Sequence, residues 1–156
     1  MIAPDQRGLL SKAAGVLALN SLAVHSASVN SALLSDRASA INSFVVSPQF
    51  GEPPAAELLR QQFIGALNGG LDVIGALEKR DREATQYGPG RVGEHNPAVP
   101  AAPVAPPLIR WHEGTQPDRP LVEVRSSDRT GLLAVLTAVF ERAGVDIDWA
   151  KITTLG

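Results

Sequence analysis

The chain has 156 residues, 44% of them hydrophobic, enough for one medium domain or two small ones of roughly 70–80 residues. Its 14 Lys and Arg against 16 Asp and Glu give a formal net charge of −2, and without a basic cluster nucleic acid is not an expected partner. The absence of cysteine excludes disulfides and thiolate chemistry, and no apolar run reaches the roughly 18 residues of a membrane-spanning helix.

The first predicted helix follows an Asp-x-x-Gly turn at residues 5–8. Its apolar residues recur at i, i+3 and i+4, which predicts one buried helical stripe made of Leu9, Leu10, Ala13, Val16 and Leu17. The period then changes to two, which predicts a strand from Leu22. The apolar phase slips before Ala27 and Val29, as expected for a β-bulge.

Residues 35–39 predict a polar hairpin loop, followed by a β-branched strand at 41–46 that ends at Ser47-Pro48. Pro53-Pro54 opens a second helix, which Gly69-Gly70 closes. Residues 71–83 are ambiguous, and they favour a short strand or apolar turn that runs into an exposed charged helix.

Residues 84–107 are rich in proline, glycine and alanine and predict a semi-extended linker between domains. Two strands are expected next, at 108–112 and 121–125, with a polar turn between them. A second Asp-x-x-Gly turn at 128–131 then leads into a helix up to Ala143, and into a strand in which Val145, Ile147 and Trp149 alternate with polar residues.

The chain contains an internal repeat with an offset of 123 positions (128 minus 5). Asp5-Gln6-Arg7-Gly8-Leu9-Leu10 returns as Asp128-Arg129-Thr130-Gly131-Leu132-Leu133, and the same offset places Val24 on Ile147 and Ala27 on Ala150. Each copy of a repeat is normally one supersecondary unit. The element order predicts an α+β fold of tandem ferredoxin-like βαββαβ modules, with helices on one face of antiparallel sheets.

These patterns predict three segments. The first module spans residues 1–83 and lacks most of its first strand, residues 84–107 form the linker, and residues 108–156 form the strand–helix–strand half of a second module. We therefore expect an incomplete piece of a longer polypeptide. The apolar runs at 22–29, 41–46 and 145–152 should then expose strand edges, which favour self-association into homo-oligomers.

The repeated turn is the candidate ligand site. Its glycine allows close backbone approach, and the start of the following helix offers free N–H groups to a carboxylate. The aspartate suits an ammonium or amide group, so the turn can recognise both ends of a free amino acid. The alternative is purely structural, with Asp5 and Asp128 acting as helix N-caps.

The unit Asp-x-x-Gly-Leu-Leu, followed in the second copy by Gly-Val-Asp-Ile-Asp-Trp-Ala-Lys-Ile-Thr-Thr-Leu-Gly, resembles the ACT domain, a small amino-acid-sensing module. The tandem pair resembles the C-terminal ACT region of bifunctional PII uridylyltransferase/uridylyl-removing enzymes, in an actinobacterial version that transfers UMP or AMP. This resemblance implies a cytoplasmic region that senses glutamine, has no cofactor or metal, and biases the catalytic domains that modify the PII signal protein. Both turns, Asp5 to Leu10 and Asp128 to Leu133, are then the ligand-binding residues.

The chain departs from the family at the turns, where Asp-Arg-Pro-Gly is usual, because it has Asp5-Gln6-Arg7-Gly8 and Asp128-Arg129-Thr130-Gly131. It also lacks the Gly-Ser and Asp-x-Asp signature of the nucleotidyltransferase and the His-Asp pair of the hydrolase, so no catalysis is expected. Two alternatives stay open. One is a protein-interaction module without a small-molecule ligand, and the other is an ACT regulator of an amino-acid biosynthetic enzyme.

Three further patterns favour ordinary structural roles. The Gly-x-Gly-x-x-Gly match at residues 88–93 follows no predicted strand, so a dinucleotide site is not expected. Asp146 and Asp148 alternate on one strand without a third ligand nearby, which favours a solvated face over a metal site. The histidines at 25, 95 and 112 show no spacing typical of a metal site or a catalytic triad.

Overall fold

A computed structural model describes residues 1–34, 36–87, 106–116 and 118–154 of the chain. It divides into two compact units, one formed by Met1–Gly88 with Thr130–Gly156 and the other by Pro89–Arg129. Most of the predicted linker and the whole Gly-x-Gly-x-x-Gly match lie outside the described residues, as does His95.

The first unit is built on a four-stranded antiparallel sheet. Its strands are β1 (Ile2–Pro4), β2 (Leu22–Leu34), β3 (Arg37–Pro48) and β6 (Trp149–Thr153), in the order β1-β3-β2-β6. The β-bulge predicted before Ala27 is confirmed, because the register between β2 and β3 shifts between Val24 and Ser26. The mixed helix and antiparallel-strand content confirms the predicted α+β class.

Four helices complete the described elements of this unit: α1 (Leu9–Leu19), α2 (Ala56–Leu67), α3 (Val73–Tyr87) and α4 (Leu132–Arg142). Helix α1 is central and contacts α2, α3 and α4. Small residues at the contact let α1 and α4 approach closely, since Ala14, Ala18 and Ala134 all belong to one buried cluster. None of the described helices combines the length and apolar content that a membrane crossing requires.

The repeat appears in the sheet as a pseudo-twofold axis. Strand β6 lies antiparallel to β2, and Ser28 pairs with Lys151, its own counterpart 123 positions later (151 minus 28). The pairs on either side, Ser26 with Thr153 and Asn30 with Trp149, are exchanged by the same offset. The two copies therefore meet through equivalent strands, which also brings their equivalent helices α1 and α4 together.

The second unit contains an antiparallel hairpin of β4 (Leu108–Gln116) and β5 (Arg119–Arg125). Both strands were predicted, and both extend further than the sequence indicated, with Gln116 paired to Arg119 beyond a register shift that follows His112. Within the hairpin, Glu123 accepts hydrogen bonds from Arg125 and His112. The Arg125 hydrogen bond and then the His112 hydrogen bond lower the pKa of Glu123 below its usual value.

Three predictions need correction. Residues 73–87 form one helix, so the strand alternative for residues 71–83 is wrong. Residues 145–148 are not strand, because β6 begins only at Trp149. The runs at 22–29 and 41–46 are free edges only in part, since β2 lies between β3 and β6 from Ser26 onward, and β3 lies between β2 and β1 as far as Ile41.

Candidate functional site

The first Asp-x-x-Gly turn borders a cleft that both repeat copies line. Gly8 is the N-cap of α1 and adopts the left-handed conformation, with φ of 75°. The free space is about 30 Å³, room for about two water molecules. The cleft is lined by Asp5, Gln6, Gly8, Leu9, Leu10, Ser11, Val29, Ser31, Ala40, Asn42, Thr137, Glu141, Val145, Asp146 and Ile147.

Glu141 of α4 closes the cleft against the first turn of α1. One of its carboxylate oxygens accepts a hydrogen bond of 2.7 Å from Ser11 Oγ, which also lies 2.9 Å from the Gly8 carbonyl oxygen. A Cβ atom at Gly8 would overlap the Glu141 carboxylate. The partial positive charge at a helix N-terminus favours an anion at this place. A carboxylate therefore already sits where the sequence predicted that a ligand carboxylate would bind.

Asn42 is the other unusual residue of the cleft. It lies on β3 with 1% of its surface exposed, and among the described residues neither its Nδ2 nor its Oδ1 has a hydrogen-bond partner. An unpaired buried amide costs about 1–3 kcal/mol. Because packing alone does not offset this free-energy cost, the burial of Asn42 needs another explanation.

Asp5 is not the N-cap of α1, which was the purely structural alternative for this residue. The N-cap of α1 is Gly8 and no side chain caps the helix, so the N-cap hypothesis for Asp5 is wrong. The Asp5 carboxylate instead accepts a hydrogen bond of 2.7 Å from Ser31 Oγ on β2. Of the six predicted residues in this turn, five line the cleft, and Arg7 is exposed outside it.

The second turn has a different environment. Gly131 is the N-cap of α4 with φ of 80°, again without a side-chain cap, so the N-cap hypothesis for Asp128 is also wrong. A Cβ atom at Gly131 would lie 3.5 Å from Leu77 Cδ1 and 3.7 Å from Ala18 Cβ, both apolar. None of the six predicted residues of this turn lines the cleft. The structure describes all six: Asp128, Arg129, Thr130, Gly131, Leu132 and Leu133.

The remaining polar groups of the second turn are engaged or exposed. Thr130 Oγ1 accepts a hydrogen bond of 2.6 Å from Gln49. Asp128 and Arg129 are exposed in the second unit. The structure thus brings together the residues of the first predicted turn, and it does not join the second turn to them.

Within the described ranges, no group of three or more His, Asp or Glu side chains is placed to hold a metal ion. Asp146 Oδ1 accepts a hydrogen bond from the Ile147 N–H, a local bond at the rim of the cleft. His25 Nε2 lies 2.7 Å from Ser47 Oγ on the neighbouring strand. Both residues therefore have a local structural partner.

Sequence reasoning missed the residues that give the cleft its polarity, above all Ser11, Asn42 and Glu141. A signal for two of them was present in the repeat. The offset of 123 aligns Ser11 with Ala134 and Glu141 with Ala18, so polar residues in one site face apolar residues in the other. Asn42 gave no comparable signal within its strand pattern.

Comparison with known proteins gives a consistent match. The chain is 54% identical, over its whole length, to bifunctional uridylyltransferase/uridylyl-removing enzymes from two strains of Mycobacterium tuberculosis. The corresponding enzyme of Streptomyces coelicolor is 36% identical over 98% of the chain. No family model matches the chain, and no solved structure matches it significantly. The chain spans 19% of the length of the mycobacterial relatives and 17% of the Streptomyces one, and it corresponds to a region of a bifunctional uridylyltransferase/uridylyl-removing enzyme.

Proposed function

We propose that this chain is a regulatory, amino-acid-sensing region of the ACT type, with glutamine as its ligand. In this proposal it biases a nucleotidyltransferase between adding a nucleotide to the PII signal protein and removing it. The observation that carries the proposal is the cleft at the first turn, which residues of both repeat copies line. A ligand in this cleft would contact α1 from one copy and α4 from the other.

A ligand that contacts two packed elements shifts their arrangement if it binds one arrangement more tightly than the other. If glutamine favours one arrangement of the copies by about 1–3 kcal/mol, it shifts the balance of the attached activities about 5–150-fold. The resembled enzymes carry two opposed activities by name, uridylyl transfer and uridylyl removal. A coupling free energy of this size is enough to switch the parent enzyme between the two activities.

The proposal assigns no catalysis to this chain. Transfer and hydrolysis would belong to other domains of the parent enzyme, which contact this region in the cytoplasm, and PII would be only an indirect partner. We also propose two modules at 1–83 and 108–156. The test of catalysis is incubation of the purified chain with PII and nucleotide, and detectable modification or removal of the nucleotide would contradict the proposal.

Self-association is a further part of the proposal. The outer strand β6 carries Trp149, a residue that is 55% exposed, and the far side of β6 faces no other described strand. Such an edge is a template for pairing with a second copy. Sedimentation at tens of micromolar should show dimers or larger species, and a monomer throughout would exclude this contact.

Calorimetric titration of the chain with the twenty amino acids tests the central proposal. Glutamine should bind with saturation, and glutamate and asparagine should bind at least tenfold more weakly. Binding of another amino acid in preference to glutamine would favour the alternative in which the region regulates a biosynthetic enzyme. Binding of none would favour a protein-interaction module.

A further inference from the structure

Glu141 and Asn42 define how the cleft at the first turn works. We propose that Glu141 is a built-in competitor for the ligand carboxylate, and that Asn42 reads the polar end of the ligand. This inference rests on the proposed function, because it assumes that a free amino acid binds at this turn. It adds which repeat copy holds the ligand, which side chain must move to admit it, and which residue distinguishes glutamine from glutamate.

The first step is the position of the Glu141 carboxylate. It accepts a hydrogen bond from Ser11 Oγ and occupies the space beside Gly8 that a side chain would fill. A ligand carboxylate bound at the first turn of α1 would take the same place and the same Ser11 hydroxyl. A ligand carboxylate cannot take this place beside Gly8 while the Glu141 carboxylate fills it. Binding therefore requires the Glu141 side chain to leave.

The second step is the unpaired amide of Asn42. Its buried donor and acceptor have no partner among the described residues, and the residue lines the same cleft. A ligand group that both donates and accepts hydrogen bonds satisfies both atoms at once. A carboxamide has this property, whereas an ionised carboxylate only accepts and leaves Asn42 Oδ1 unpaired. Asn42 thus favours glutamine over glutamate, which carries the same number of carbons.

The third step is the link to regulation. Glu141 belongs to α4 in the second copy, and Ser11 belongs to α1 in the first. When a ligand replaces Glu141, the polar bond between the two copies is exchanged for a bond between the first copy and the ligand. The ligand therefore weakens one α1–α4 contact as it binds, which couples occupancy to the arrangement of the copies.

Calorimetry with glutamine and glutamate on four forms of the 156-residue chain tests the inference: wild type, Glu141→Ala, Asn42→Val and the control Glu57→Ala. Among the described residues, Glu57 pairs with its exposed neighbours Arg60 and Gln61 on α2, and its replacement changes the net charge equally. Glu141→Ala should bind glutamine about tenfold more tightly than wild type, as expected when one charge-assisted bond no longer competes. The control should bind like wild type.

Asn42→Val should lose at least tenfold in glutamine affinity and most of the preference over glutamate. If glutamine binds wild type but Glu141→Ala gains no affinity relative to Glu57→Ala, the inference is overturned while the proposed function stands, because the ligand then sits elsewhere. Unchanged glutamine affinity in Asn42→Val overturns the role of Asn42. If neither wild type nor Glu141→Ala binds any amino acid, the proposed function itself fails. Since Glu141 lies outside the sheet core, its variant decides the result even if Asn42→Val does not fold.

Discussion

The two Asp-x-x-Gly turns have the same backbone and opposite surroundings. Gly8 and Gly131 both cap a helix in the left-handed conformation, and the pseudo-twofold axis places each beside the helix of the other copy. The first faces Glu141, and the second faces Ala18 at the equivalent position. The two repeat copies share the backbone geometry of the turn. The chemistry beside each turn depends on the side chain that the helix of the other copy supplies.

Transplanting the carboxylate to the second turn should have the largest effect. Ala18 is 2% exposed and packs in an apolar cluster with Ala134, so Ala18→Glu forces a large charged side chain into a filled apolar contact, even though Arg80 is bonded to the Ala18 carbonyl oxygen nearby. We expect the free energy of unfolding to fall by about 3 kcal/mol or more, measured by urea denaturation. The reverse change, Glu141→Ala, should cost no more than about 1–2 kcal/mol. Equal costs would mean that the two turns tolerate polarity alike.

Replacing each glycine by alanine should also lower the free energy of unfolding by different amounts at the two turns. Both Gly8→Ala and Gly131→Ala carry the left-handed penalty of roughly 1–2 kcal/mol. Gly8→Ala also displaces the Glu141 carboxylate, whereas Gly131→Ala meets only atoms at 3.5 Å or beyond. We therefore expect Gly8→Ala to cost about 1–3 kcal/mol more in thermal or urea unfolding. The difference should disappear in a Glu141→Ala background, and its persistence there would show that Glu141 is not the cause.

The smallest expected effect concerns Ser11. Its hydroxyl serves the Glu141 carboxylate now and would serve the ligand carboxylate later, so Ser11→Ala weakens both competitors. Glutamine affinity should change less than about twofold in wild type but fall about tenfold in a Glu141→Ala background, a non-additivity that a double-mutant cycle measures. Ala134→Ser is the matched change in the second copy and should leave affinity unchanged. Additive effects of Ser11→Ala and Glu141→Ala would contradict competition for one hydroxyl.

Local patterns predicted the elements around the site well. The helix after the first turn and the phase slip in β2 depend on neighbouring residues, and both are confirmed. The predicted single stripe of α1 is too narrow, because Ser11, Ala14, Gly15 and Ala18 are buried as well and Leu17 is only partly buried. The same reasoning failed at residues 145–148, which alternate like a strand. There the Asp146 carboxylate bonds to the Ile147 N–H, and this local bond competes with strand pairing.

Long-range pairing could not be read from the sequence. The position of β6 beside β2 brings α4 against α1, and it creates the cleft from residues 130 positions apart, such as Ser11 and Glu141. The repeat contained part of this information, because Ser11 aligns with Ala134 and Glu141 with Ala18. Asn42 becomes notable only when its burial and its missing partners are known.

The most direct test of this comparison is to record the amide signals of Gly8 and Gly131 in the same glutamine titration. In the nitrogen-15-labelled chain, each glycine amide reports on its own turn by nuclear magnetic resonance. The Gly8 signal should move saturably with glutamine and by more than the Gly131 signal, because the ligand replaces Glu141 at the first turn alone. A saturable shift of Gly131 with Gly8 unmoved would contradict the account.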